Sequence, residues 1–156
     1  MTNRELIEEF YTAFSRHDHQ AMAACYHDEA RFTDPAFGTL NVRQVRAMWR
    51  MLIERSGGKL EITFRDVEAN ESSGSAVWKA RYIFRQTGRP VLNIIRTRFE
   101  FTEGKIHRHY DEFSLWRWSR QALGLPGLLI GYTVFFRSRL QKQTRKLLAA
   151  YMESHG

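Results

Sequence analysis

The sequence predicts an α+β domain, helices first and an antiparallel sheet after them. Two observations carry this reading. Up to about residue 55 apolar residues recur at helical spacing, and from Lys59 onward the apolar period changes to two. The alternating runs are separated by short turn signals at Thr87-Gly88 and Glu103-Gly104, so the strands read as a meander.

Thr2-Asn3-Arg4-Glu5 has the form of a capping box, in which the threonine and glutamate satisfy each other's free backbone N–H groups. Leu6, Ile7, Phe10, Tyr11 and Phe14 then mark one face of a first helix from Asn3 to Arg16. Asp18 can cap a short second helix through Tyr26. Asn41 with Gln44 makes a second box, opening a third helix that buries Val45, Met48, Trp49 and Leu52 and stops near Gly57-Gly58.

In the sheet, Leu60, Ile62 and Phe64 alternate with polar residues, followed by Ala76, Trp78, Ala80, Tyr82 and Phe84 on one face of the next strand. The strand from Pro90 to Thr102 places Asn93, Ile95, Thr97, Phe99 and Phe101 on one face, with Arg96, Arg98 and Glu100 on the other. A last strand runs from Lys105 to Leu115. Beyond it, a long final helix carries an apolar stripe of Leu128, Tyr132, Phe135, Phe136, Leu140, Leu147 and Tyr151, which docks on the domain or on a second subunit.

A chain of 156 residues that is 43% hydrophobic and 13% aromatic can bury one core. The net charge of +7 is concentrated late in the chain, where Arg137, Arg139, Lys142, Arg145 and Lys146 follow Arg117 and Arg120. That run reads as a solvated helix face and not as a nucleic-acid site. No stretch reaches the roughly 18 apolar residues of a membrane span, so stable membrane insertion is not expected. A lone Cys25 in the apolar run MAACY cannot form an internal bridge, and a reducing cytoplasm is the expected location.

Helix one with EEFYTAF, the segment ACYHDEARFTDPAFG, the hairpin FRQTGRPV and the strand GKIHRHYDEF together resemble the ketosteroid isomerase and SnoaL-like polyketide cyclase group of the nuclear-transport-factor-two-like superfamily. The resemblance covers roughly residues 4 to 115. It implies a cone-shaped α+β barrel, with three helices on a curved antiparallel sheet of four strands plus a short one, enclosing an apolar cavity. Residues 1–115 form that domain and residues 116–156 a C-terminal helical extension.

Asp34 falls where the isomerases hold their general base. It lies between Phe32 and Phe37, where partial desolvation raises a carboxyl pKa and strengthens the base. An Asp-Pro pair is also a turn starter, so Asp34 can equally cap the turn before Pro35. The oxyanion donors of the isomerases are replaced: Phe10 stands at the tyrosine position, with Tyr11 one residue and about 100° round the helix, and Thr97 stands at the aspartate position. Steroid isomerisation by that route is therefore not expected.

On the last strand His107, His109, Asp111 and Phe113 share one face by the period-two rule, and the resemblance turns that face toward the cavity. His109 matches a histidine of SnoaL-like cyclases and Asp111 stands near their acid/base aspartate, so the resemblance implies that either Asp34 or the His109–Asp111 pair moves the proton. The His-x-His-x-Asp spacing could also hold a metal, but relatives in this group work without one, so neither metal nor cofactor is expected. Phe10, Phe14, Met48, Trp49, Leu52, Trp78, Tyr82, Phe84, Asn93, Ile95, Thr97 and Phe99 complete the expected pocket wall, with Asn93 and the Trp78 N–H as orienting donors. The reading is a cofactor-independent proton-transfer enzyme of isomerase, cyclase or dehydratase type, acting on a hydrophobic carbonyl substrate, in a homodimer. The alternative is a non-catalytic ligand-binding or protein-interaction module.

Overall fold

The computed structural model describes residues 1–130 and 134–155, and the side chains of 128–130 and 134 lie outside the described set. Three helices, α1 (Asn3–Ser15), α2 (His19–Ala24) and α3 (Val42–Arg55), cover a curved sheet of β1 (Tyr26–Asp34), β2 (Gly38–Asn41), β3 (Glu61–Ala69), β4 (Ser73–Phe84), β5 (Arg89–Thr102) and β6 (Lys105–Glu112). Both capping boxes form, and Asp18 accepts from the Ala21 N–H at the start of α2. The α+β class stands, and β3 to β6 form the expected meander.

The sheet is larger than the sequence indicated, with six strands in the order β2-β1-β6-β5-β4-β3. The second helix stops at Ala24 rather than Tyr26, and Tyr26 instead opens β1, which pairs parallel with β6. A parallel neighbour distant in sequence gives no local turn signal, and Asp28-Glu29 breaks the apolar alternation of β1. Leu52 is another correction. It is 36% exposed, while Met51 and Ile53 take its place in the core.

The final strand ends at Glu112, and Ser114 caps a separate helix, α4 (Leu115–Leu123), which is followed by α5 (Leu125–Ile130) and α6 (Val134–His155). Helix α4 lies against β5: the Arg89 guanidinium donates to the Gln121 carbonyl at 2.8 Å and the Leu92 N–H to Gln121 Oε1 at 2.8 Å. Helix α6 packs on α3 through buried Leu148 and Tyr151, the Tyr151 hydroxyl donating to Glu54 at 2.7 Å. The expected apolar stripe is only partly used, since Phe135 is 74% exposed and Leu147 38%. The Leu128 side chain and Tyr132 lie outside the described set. Among the described residues no helix is long and apolar enough to cross a membrane.

Candidate functional site

Cross-strand register brings the first part of the site together. Thr97 on β5 stands opposite Asp111 on β6, and Phe99 opposite His109, while Phe32 on β1 flanks His109 from the other side. All of these point inward, His109 being fully buried and Asp111 4% exposed. Helix α1 adds Phe10 and Tyr11, α3 adds Trp49, and β4 adds Trp78.

These groups form one hydrogen-bonded network. Thr97 Oγ1 accepts from the Tyr11 hydroxyl at 3.1 Å and the Trp78 indole N–H at 2.9 Å, and it donates to Asp111 Oδ1 at 2.6 Å. His109 Nε2 lies 3.0 Å from the same oxygen, and its Nδ1 lies 2.8 Å from the Tyr26 hydroxyl, which accepts from the Trp49 indole N–H at 2.8 Å. An indole can only donate, so the Tyr26 hydroxyl is free to direct its proton at His109 Nδ1. The imidazole then carries its proton on Nε2, facing Asp111. Burial pushes both phenols well above the usual tyrosine range, so Tyr11 and Tyr26 remain donors; the Asp111 charge adds to this. Among the described residues no buried side-chain nitrogen or oxygen lacks a partner.

Aromatic rings pack tightly around this network. His109 has Phe99 at 4.7 Å, Phe32 at 4.9 Å and Phe10 at 5.6 Å between centroids. Phe14 lies 5.1 Å from Trp49 and 5.3 Å from Trp78. Of the expected wall, Phe10, Phe14, Met48, Trp49, Trp78, Ile95, Thr97 and Phe99 are therefore in this buried cluster. The Trp78 N–H is engaged by Thr97 rather than left as an orienting donor. Tyr82 packs against the edge of this cluster and also meets α4, the Trp118 indole donating to its hydroxyl at 2.7 Å, while Phe84 lies against the Trp118 ring at 5.4 Å. Asn93 is half-buried.

Asp34 closes β1 and starts the turn into β2. Its Oδ1 accepts the Ala36 N–H at 2.9 Å and the Phe37 N–H at 2.6 Å, so it does cap the turn. Burial nevertheless pushes its pKa up to about 7; the Phe37 bond works against this, and the Asp111 charge adds to it. Asp34 and Asp111 are thus electrostatically coupled, and a nearby Arg137 draws the pKa down slightly.

Helix α6 covers this turn from outside. Gln141 donates to the Pro35 carbonyl at 3.1 Å, Thr144 to Ala36 at 2.7 Å, and Arg145 to Phe37 at 2.8 Å and Thr39 at 3.2 Å. Gly38 permits the close approach. Its φ is +74°, and a Cβ there would stand 2.5 Å from the Arg145 guanidinium.

His107 does not join His109 and Asp111. The β5–β6 register shifts at Glu100/Phe101, which makes His107 the extra residue of a bulge and moves it off the inward face. The His107/His109/Asp111 spacing therefore forms no common metal site, and both nitrogens of His109 are occupied by Tyr26 and Asp111. Tyr26 is the member of the network that sequence reasoning missed, because it lay in a segment assigned to helix. Two surface depressions, of about 540 Å³ near Asn70, Gly74 and Arg98 and about 380 Å³ near Glu8, Thr12 and Arg16, are not lined by Asp34, His109 or Asp111.

The SnoaL-like domain family matches residues 7–109, a span that includes Asp34 and His109 and stops short of Asp111 and the extension. The chain belongs to this family. Among solved structures it is similar to a candidate polyketide cyclase of Xanthomonas campestris pv. campestris, at 21% identity over 77% of this chain and 98% of that one, with a TM-score of 0.60. It is also similar to an LEH-like epoxide hydrolase of M. tuberculosis, at 18% identity over 81% and 94% with a TM-score of 0.63. A hypothetical protein of Catenulispora acidiphila with a ketosteroid isomerase-like fold matches at 16% identity over 79% and 95%, with a TM-score of 0.63. At these identities the likeness is one of fold. No curated protein matches the chain.

Proposed function

We propose that this chain is a cofactor-independent enzyme that moves a proton beside a carbonyl of a hydrophobic substrate, with Asp34 as the base. The observation that supports it is a half-buried carboxyl whose pKa is pushed up to about 7 by burial and by the charge of Asp111. A base of that pKa is mostly ionised just above neutrality and still strong enough to take a C–H proton activated by a carbonyl. The bond electrons move to the carbonyl oxygen, and return of the proton to another carbon completes an isomerisation; cyclisation and dehydration begin with the same step. Asp111 contributes its charge to Asp34, and His109, Tyr26 and Thr97 fix Asp111 in place.

In this reading the C-terminal extension is a cover. Its four polar contacts hold the Asp34 turn closed, and substrate reaches the carboxyl when α6 lifts. Exposed Ile83, Leu92 and Ile94 on β4 and β5 would supply the face of a homodimer. The buried lone Cys25 fits a cytoplasmic location.

A second reading, a non-catalytic binding or interaction module, is favoured by the interior packing of Phe14, Trp49 and Trp78, which leaves those rings at most 6% exposed. Thermal-shift screening with steroid enones and aromatic polyketides separates the two. A stabilising ligand that the intact protein converts, and that Asp34→Asn binds but converts at least a hundredfold more slowly, supports the enzyme. A ligand converted equally by both proteins removes Asp34 as the base, and binding without turnover leaves the module.

A further inference from the structure

On the solvent side of β1 and β6, away from the network around Asp111, two histidines and a glutamate converge. We propose that His27, Glu29 and His107 form a binding site for a borderline divalent cation, with Zn²⁺ as its best match. One donor atom from each residue lies within 4.8 Å of the others. In a tetrahedral site with bonds of about 2.0–2.2 Å the donors stand about 3.3–3.6 Å apart. The glutamate is exposed and the two histidines are half-buried, so the side chains have room to rotate toward that spacing. Two imidazoles and a carboxylate are a zinc donor set, with water or a further oxygen as the fourth ligand. Glu103, whose Oε1 is 3.7 Å from His27 Nε2, can supply that oxygen.

Backbone irregularity assembles the cluster. His27 follows Tyr26, which pairs with Ile106, so His27 and His107 are neighbours across the parallel β1–β6 junction, their ring centroids 5.2 Å apart. The β1–β6 pairing shifts between Tyr26 and Arg31, and the β5–β6 pairing shifts at His107. Bulges re-aim side chains, and here His107 turns from the inward face toward His27.

The outer contacts of the two histidines differ. His107 Nδ1 lies 3.3 Å from Thr102 Oγ1, a hydroxyl that can accept the ring proton from Nδ1 when Nε2 serves as the ligand. His27 Nδ1 instead accepts the Glu29 N–H at 3.0 Å. Coordination through either nitrogen of His27 breaks that bond, which lowers the affinity below that of a prebuilt structural zinc site.

The test is calorimetric titration of the intact protein with Zn²⁺ at pH 7.5. The site predicts one ion per chain with a micromolar Kd. His27→Ala and His107→Ala should each weaken binding at least tenfold, and the double variant should abolish it. Glu29→Gln should weaken binding several-fold. Zinc at a hundred times Kd should raise the folded-to-unfolded ratio of the wild type about a hundredfold and leave the double variant unchanged. If an alanine variant does not fold, His107→Gln keeps the position polar and answers the same question. Absence of uptake up to millimolar zinc, or equal uptake by wild type and double variant, overturns the proposal.

Discussion

Asp111 and Asp34 are the same residue in two kinds of setting. Asp111 is held by side chains: Thr97 and His109 donate to one oxygen, and Tyr11, Trp78, Tyr26 and Trp49 support those donors from α1, α3, β1 and β4. Asp34 is held by the backbone of its own turn, through the Ala36 and Phe37 amides, and is covered by a helix more than a hundred residues later in sequence. The first arrangement fixes a carboxylate as part of the core. The second leaves a carboxyl short of compensating charge, so burial raises its pKa to about 7. Burial that its two turn amides and nearby charge do not fully offset leaves Asp34 exchanging a proton near neutrality.

The largest expected effect breaks the first setting. Asp111→Ala leaves the buried Thr97 hydroxyl and His109 N–H without their acceptor and should cost about 3–5 kcal/mol in urea unfolding. Tyr26→Phe strips partners from Trp49 and His109 and should cost about 2 kcal/mol by the same measurement. A loss under about 0.5 kcal/mol in either would mean that the network does not hold the core.

Asp34→Asn sharpens the contrast, because asparagine keeps an Oδ1 acceptor for Ala36 and Phe37 but cannot ionise. The folded protein holds the Asp34 proton up to about pH 7, whereas the ordinary value is 3.8. Stability tied to this carboxyl is therefore fully present below about pH 4 and is lost as pH rises through 7. The variant should match wild type at pH 4 and exceed it by about 2 kcal/mol at pH 8, after allowance for partial exposure. Equal stability at pH 8 would place Asp34 in the ordinary range. Thr144→Val, which loosens the cover, should cost about 1 kcal/mol and speed amide exchange at Phe37 without altering exchange at Thr97.

Much of this was legible in the residues. Capping boxes and alternating runs located α1, α3 and β3 to β6, and the face shared by Thr97 and Phe99 followed from their spacing. The parallel β1–β6 pairing was not, because its partners lie about eighty residues apart and no turn announces it. For the same reason Tyr26 escaped notice, although it completes the bonding of His109. The Phe10-Tyr11 pair was half legible. Its hydroxyl was known to lie one residue off the isomerase position, but only the packing of α1 against the sheet reveals that it reaches Thr97. His107 was misplaced by strict alternation, since a bulge is a property of pairing and not of composition.

The central claim is that Asp34 carries an exchangeable proton near neutral pH, and a ¹³C titration of the aspartate side-chain carboxyls tests it without knowledge of the substrate. The resonance that disappears in Asp34→Asn should titrate at about pH 7. If that resonance instead titrates below about pH 5, within the ordinary aspartate range, the account is contradicted.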